Sequence, residues 1–200
     1  MMAALVSIVV AYLIGSVSFA VVASRAFGLP DPHTYGSGNP GATNVLRTGN
    51  RKAAVLTLIG DAAKGWFAVW LATRMVAAYD VPSWTIAAVA LAVFVGHIFP
   101  VFHRFAGGKG VATAAGIVLG LHWPLGLALL VVWLAIAFGF KVSSLAALVA
   151  ALFAPIGSFY VFGNSTISWT MVVIALLLFW RHRTNIRELV SGRERRIGRS

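Results

Sequence analysis

The amino-acid sequence predicts an all-α integral membrane protein of about seven transmembrane helices, with the N-terminus outside and the C-terminus in the cytoplasm. Three observations predict it. Hydrophobic residues make up 60% of the 200 positions and charged residues only 10%, and the mean hydropathy is +0.88, beyond what an average soluble domain carries. Apolar runs of membrane length recur along the chain with short polar connections between them. Lys and Arg fall in alternate connections, the pattern that orients a polytopic chain.

In order, the runs are Ala3 to Ala23, Ala53 to Ala78, Trp84 to Phe102, Leu125 to Phe140, Ser144 to Phe162 and Ile167 to Trp180, set against roughly 30 Å of hydrocarbon. Neither a small-residue cleavage motif nor a soluble domain follows the first run, so it reads as a retained span rather than a removed signal peptide. Val111 to Leu121 reaches only about 16 Å as a helix, and on length alone suits a re-entrant segment. Charge decides for a crossing. With seven spans, all of the 16 Lys and Arg residues except Lys64 and Arg74 share one face, including Lys141 and the tail through Arg199. The opposite connections, around Asp80, His122 and Asn164, carry no Lys or Arg. Without the short crossing, Lys141 and the basic tail would switch sides, against the positive-inside rule. The expected organisation is a single polytopic domain, 1–200, with cytoplasmic polar loops at 25–52 and 103–110 and a basic tail at 181–200.

Composition also removes several chemistries. The absence of cysteine excludes disulfides, zinc thiolates and a Cys nucleophile. His33, His97, His103, His122 and His182 show no metal-ligand pairing, and the five acidic residues are too scattered to complete one; no metal and no cofactor is expected. The net charge of +11 would suggest nucleic acid in a soluble chain, but here it follows the membrane topology, and the tail suits anionic lipid. His33 and His122 read as interfacial, and His97 as a structural hydrogen-bonding residue. Asp61 and Lys64, ionisable groups inside a span, are read as neutralising each other at i and i+3 on one helix face in preference to a catalytic role.

Familiar motifs fail on context. Gly36 to Gly41, GSGNPG, matches G-x-G-x-x-G, and Asp61 lies twenty residues past Gly41, yet a dinucleotide fingerprint needs a strand before it and a helix after it. Gly107 to Gly110, GGKG, lacks the glycine and the Ser or Thr of a Walker A loop; His103 and Gly110 stand there instead. Asn164-Ser165-Thr166 fits a glycosylation sequon but lies tight against predicted spans.

Three polar stretches share the cytoplasmic face. Gly36 to Arg47, GSGNPGATNVLR, combines Gly36, Gly38 and Gly41 with Ser37, Asn39, Thr43, Asn44 and Arg47. Glycines let backbone N–H groups approach an anion, and hydroxyls, amides and a guanidinium supply the donors that a phosphate accepts. On this stretch alone a solvated turn explains the residues as well. The second stretch, Ala106 to Thr113 (AGGKGVAT), sets Lys109 among Gly107, Gly108 and Gly110; the third, Arg181 to Glu194 (RHRTNIRELVSGRE), follows the last span. A turn, an interfacial lysine and a basic tail account for each singly but poorly for the three together.

Taken together, GSGNPGATNVLR, GHIFPVFHRFAGGKGVAT (Gly96 to Thr113) and HRTNIRELVSGRE (His182 to Glu194) closely resemble the three signature motifs of the bacterial acyl-phosphate:glycerol-3-phosphate acyltransferases, the PlsY family. The resemblance covers length, motif order and the placing of motifs between spans. The third motif departs from the family's Asn-Ile-x-Arg-Leu, reading Asn185-Ile186-Arg187-Glu188-Leu189, so no role for its arginine is carried over.

The resemblance implies transfer of a fatty acyl group from acyl phosphate to the 1-hydroxyl of sn-glycerol 3-phosphate, giving lysophosphatidic acid and phosphate in the first step of phospholipid synthesis. It implies a seven-span enzyme of the bacterial inner membrane with a cytoplasmic active site and no metal. The upstream enzyme that forms acyl phosphate is the candidate protein partner. Ser37 and Arg47 are then expected to hold phosphate, the arginine by a bidentate fork. Lys109 adds a point charge while the amides around Gly107, Gly108 and Gly110 bind phosphate or the developing oxyanion. His182 and Asn185, on one face if the tail begins helically, are expected to orient glycerol 3-phosphate, and Glu194 to shape the site. Ser37 lacks a base with an orienting acid nearby in sequence, and acyl phosphate is already activated, so direct attack by the substrate hydroxyl is expected rather than an acyl-enzyme. The competing class is a transporter for a small phosphate-bearing anion; against it, the chain shows no internal repeat and its polar stretches lie on one face.

Overall fold

A computed structural model describes residues 1–197; Arg199, counted above with the basic tail, lies outside the described residues. The described chain is helical throughout, with no strand among those residues. It divides into two compact units, Met1 to Leu121 and His122 onward.

The first unit holds α1 (Met2–Ser16), α2 (Phe19–Ala26), α3 (Ala42–Leu46), α4 (Arg51–Ala78), α5 (Trp84–Ile98) with a 3₁₀ turn at Val101–His103, and α6 (Val111–Leu121). The first apolar run is not one continuous helix. It breaks at Val17, and α1 and α2 meet at 41°. Ser18 explains the restart, because its hydroxyl accepts a hydrogen bond from Val21 N at 3.4 Å and so caps α2; hydropathy does not register a cap. Asn50 caps α4 in the same way, accepting from Ala53 N at 3.0 Å.

Small residues let these helices pack backbone to backbone, as membrane helices do. A side chain at Gly15 would strike the Val93 carbonyl, and one at Gly96 the Tyr12 carbonyl, which brings α1 against α5. Gly65 and Gly116 serve the contact of α4 with α6. Polar cross-ties finish the joint: Tyr12 Oη donates to the Phe99 carbonyl at 2.9 Å, and Val101 N donates to Ser16 Oγ at 3.3 Å.

The second unit holds α7 (Trp123–Phe140), α8 (Ser143–Phe162), α9 (Thr166–Arg181) and α10 (Arg183–Val190), with α8 packed against both α7 and α9. His122 caps α7 through Nδ1, which accepts from Leu125 N at 3.2 Å. Beyond α10 the tail returns to the α7–α8 elbow, where Ile197 N donates to the Lys141 carbonyl at 2.6 Å. Phe138 and Tyr160 are 78% and 92% exposed, so α7 and α8 present large aromatic side chains outward.

Four segments are long and apolar enough to cross a membrane: Arg51–Ala78, Trp84–His103, Trp123–Phe140 and Ser143–Phe162. The bent pair α1 and α2 makes a fifth, while Val111–Leu121 and Thr166–Arg181 are shorter apolar helices. All seven expected runs are therefore helical, and two fall short of ordinary membrane length.

Candidate functional site

In the first unit the loop between α2 and α4 is organised by one amide. Asn44, 2% exposed on α3, accepts at Oδ1 from Ser37 N at 2.9 Å and from Ser37 Oγ at 3.2 Å. The same oxygen accepts from Arg47 Nη1 at 3.2 Å. Its Nδ2 donates to the carbonyls of Pro32 and Tyr35 at 2.9 and 3.2 Å. Both amide hydrogens and the oxygen are thus engaged inside the protein, so Asn44 gathers the loop while Ser37 and Arg47 stay exposed. Gly36 and Gly38 have φ of +62° and +65°, the left-handed region that glycine enters without strain. A side chain at Gly36 would also strike Asn44 Oδ1. Thr43 is exposed, and Asn39 is half-buried with its amide beside Gly41.

The second loop lies against the first. His33 bridges them: Nδ1 is 2.6 Å from Asp31 Oδ1 and Nε2 is 2.9 Å from the Ala106 carbonyl. Both neighbours are acceptors, so both bonds are made when both ring nitrogens carry hydrogen. The main-chain N–H of His33 also donates to Asp31 Oδ1 at 2.9 Å. That bond, helped by the ring, holds the Asp31 carboxyl below its usual range despite partial desolvation. His33, read from the sequence as interfacial, also straps the loop before α3 to the second motif loop.

Gly107 and Gly108 are buried and Lys109 half-buried. Gly108 N donates to the His97 carbonyl at 3.2 Å, and a side chain at Gly108 would strike His97 Nε2 and the Pro40 carbonyl. One at Gly107 would strike the His97 carbonyl. Gly110, with φ of +89°, faces the Phe94 ring. The glycines are therefore where the loop passes between the end of α5 and Pro40 of the first loop. Asp61 and Lys64 do pair, Nζ to Oδ1 at 2.8 Å, as expected, and His97 joins them.

In the second unit, His182 sits at the junction of α9 and α10, 2% exposed, with Nδ1 donating to the Leu178 carbonyl at 2.8 Å. Asn185 lies one turn on, in α10, so the tail does begin helically. Glu194 Oε1 accepts from Asn185 Nδ2 at 2.7 Å and from Ser144 Oγ at 2.6 Å, and Glu194 N donates to the Glu188 carbonyl at 3.2 Å. Ser144 is buried and was not singled out from the sequence. Its signal was weak: a serine pair opening an otherwise apolar run.

A family model described as glycerol-3-phosphate acyltransferase matches residues 5–192, spanning both units. The chain belongs to that family. Glycerol-3-phosphate acyltransferases of Cupriavidus pinatubonensis and Ralstonia nicotianae are 64% and 62% identical to it, covering 98% of this chain and 98% and 95% of theirs. Among solved structures, the glycerol 3-phosphate form of PlsY (YgiH), an integral membrane glycerol 3-phosphate acyltransferase, is 37% identical with a TM-score of 0.90. The lysophosphatidic acid form of PlsY gives a TM-score of 0.88; each match covers 98% of this chain and 96% of the other. This acyltransferase-family chain is accordingly an all-helical integral membrane protein, and all three motif stretches except the last two residues of the third lie within the matched range.

Proposed function

We propose that the chain transfers a fatty acyl group from acyl phosphate to the 1-hydroxyl of sn-glycerol 3-phosphate, releasing lysophosphatidic acid and inorganic phosphate. The observation that carries this is the likeness over 98% of the chain to a glycerol 3-phosphate acyltransferase structure holding glycerol 3-phosphate. In the reaction the hydroxyl oxygen bonds to the acyl carbonyl carbon as the bond from that carbon to the phosphate oxygen breaks. The bond's electron pair leaves with phosphate, and the hydroxyl proton passes to a phosphate oxygen.

In the first unit, Ser37 and Arg47 are assigned to phosphate, held at the spacing that Asn44 sets. Lys109 and the amides about Gly107, Gly108 and Gly110 are assigned to stabilising the anionic leaving group or oxyanion, with Gly36, Gly38, Asn39, Gly41 and Thr43 lining the donor loop. In the second unit, His182 and Asn185 are assigned to orienting glycerol 3-phosphate, with Asn185 held by Glu194. No acyl-Ser37 forms. The distribution of Lys and Arg supports seven spans with the N-terminus outside and the motifs and tail cytoplasmic, and the resemblance to the PlsY family implies one polytopic domain in the bacterial inner membrane. There the upstream enzyme forming acyl phosphate supplies the donor.

The test is phosphate release by purified protein given palmitoyl phosphate and glycerol 3-phosphate. Release that needs glycerol 3-phosphate, and is largely lost in Ser37→Ala and Arg47→Lys, is expected. No release, with movement of a phosphate compound across reconstituted vesicles, would establish a transporter instead.

A further inference from the structure

Asp61, Lys64 and His97 form a cluster of ionisable side chains in the helical core of the first unit, 2%, 5% and 7% exposed. Such groups are costly within a membrane and are retained where they serve a purpose. Lys64 has two partners on hand: the Asp61 carboxylate, and the carbonyl of Val17, to which Nζ donates at 2.7 Å. That carbonyl belongs to the break between α1 and α2, where helical bonding is interrupted, so a donor there answers a local need. Asp61 is different. Beyond Lys64 it reaches across to α5, with Oδ1 3.5 Å from His97 Nδ1.

His97 in turn touches the glycine loop on two sides. Its carbonyl accepts from Gly108 N, and its Nε2 occupies the space where any side chain at 108 would go. The ring is therefore a spacer with Asp61 on one nitrogen and the backbone of Gly108 against the other. Its orientation fixes how far the loop can settle towards α5, and Lys109 is the next residue along.

We propose that Asp61 is a positioning residue for the Gly107 to Gly110 loop, acting through the His97 ring to set the register in which the loop amides and Lys109 meet an anionic phosphate substrate. The proposal rests on the acyltransferase reading and adds to it a role for a carboxylate outside the three motifs. An ion pair that serves charge balance alone makes a different forecast: neutralising both partners together restores the protein fully.

The experiment compares the wild type with Asp61→Asn/Lys64→Met, which removes both charges, and with His97→Gln, which leaves the ion pair in place. Melting in detergent identifies the folded variants. KM for palmitoyl phosphate, kcat and, as a control, KM for glycerol 3-phosphate are then measured. The expected result is a fall in kcat/KM for palmitoyl phosphate on the order of tenfold in both variants, with KM for glycerol 3-phosphate nearly unchanged. Wild-type kcat/KM for palmitoyl phosphate in the folded double variant overturns the proposal and leaves charge balance as the explanation. Wild-type values in His97→Gln overturn it independently, whether or not the Asp61 variant folds. A wild type that releases no phosphate overturns the acyltransferase reading instead.

Discussion

Arg47 Nη1 donates at 3.2 Å to the same Asn44 oxygen that accepts from the Ser37 hydroxyl. Two of the polar groups assigned to phosphate are thus spaced by a third residue that is buried and whose hydrogen-bonding capacity is used within the protein. Asn44→Ala removes the spacer and leaves the Pro32 and Tyr35 carbonyls without their donor, at a cost of about 1–3 kcal/mol. Phosphate release is expected to fall more than tenfold. Asn44→Asp keeps the shape but cannot donate to those carbonyls, and is expected to do no better. Melting and phosphate-release assays on the two variants check this; full activity in Asn44→Asp would show that donation to Pro32 and Tyr35 does not matter.

Two glycines make a controlled comparison. Gly108→Ala pushes a methyl group into His97 Nε2 and the Pro40 carbonyl, and is expected to lower kcat/KM for palmitoyl phosphate sharply. Gly139→Ala, inside α7 with nothing within 4 Å of the added carbon, is expected to be neutral in activity and to stabilise the helix by up to about 1 kcal/mol. Equal effects of the two substitutions would contradict the packing described for the second loop.

Asp31 gives a pH dependence with a defined sign. Its carboxyl is held low in the folded protein, chiefly by the His33 main-chain N–H. Its contribution is therefore complete above the unfolded carboxylate value of about 4 and is lost as pH falls through the lower folded value. Asp31→Asn is expected to lower the melting temperature in the neutral region and to flatten the acid limb below about pH 4, so that its profile meets the wild-type profile at low pH. An acid limb identical to wild type would mean that the strap does not contribute to stability.

In the second unit Glu194 Oε1 serves two donors, Ser144 and Asn185. Glu194→Gln is expected to impair activity more than Ser144→Ala, since it weakens the acceptor for both. A double-mutant cycle between Asn185→Ala and Glu194→Gln should show a coupling energy of about 0.5–3 kcal/mol. Strict additivity would indicate that Glu194 does not hold Asn185.

The helices were legible because an apolar run of membrane length has few alternative fates, and the motif loops because glycines and polar residues cluster between those runs. What escaped is of another kind. The break at Val17 lies inside a run that is apolar on average, and only the Gly15-Ser16-Val17-Ser18 stretch betrays it. His33 and Ala106 are 73 residues apart, and Ser144 and Glu194 are 50 apart, so no local pattern announces either bond. His97 was read as a structural hydrogen-bonding residue, and its carbonyl accepts from Gly108 N, but its nearness to Asp61 depends on how α4 meets α5. Asp61 and Lys64, three residues apart, were paired from sequence alone because one helical turn suffices to bring them together.

That pairing within a single turn bears on how the protein is made. A lone charge at the centre of a nascent span costs a few kcal/mol as it leaves the translocon. The Asp61 and Lys64 bond needs no neighbour, so α4 can enter the bilayer already neutralised, before α5 has been synthesised. His97 then meets a carboxylate already in place, and the order of synthesis along the ribosome becomes the order in which the cluster assembles.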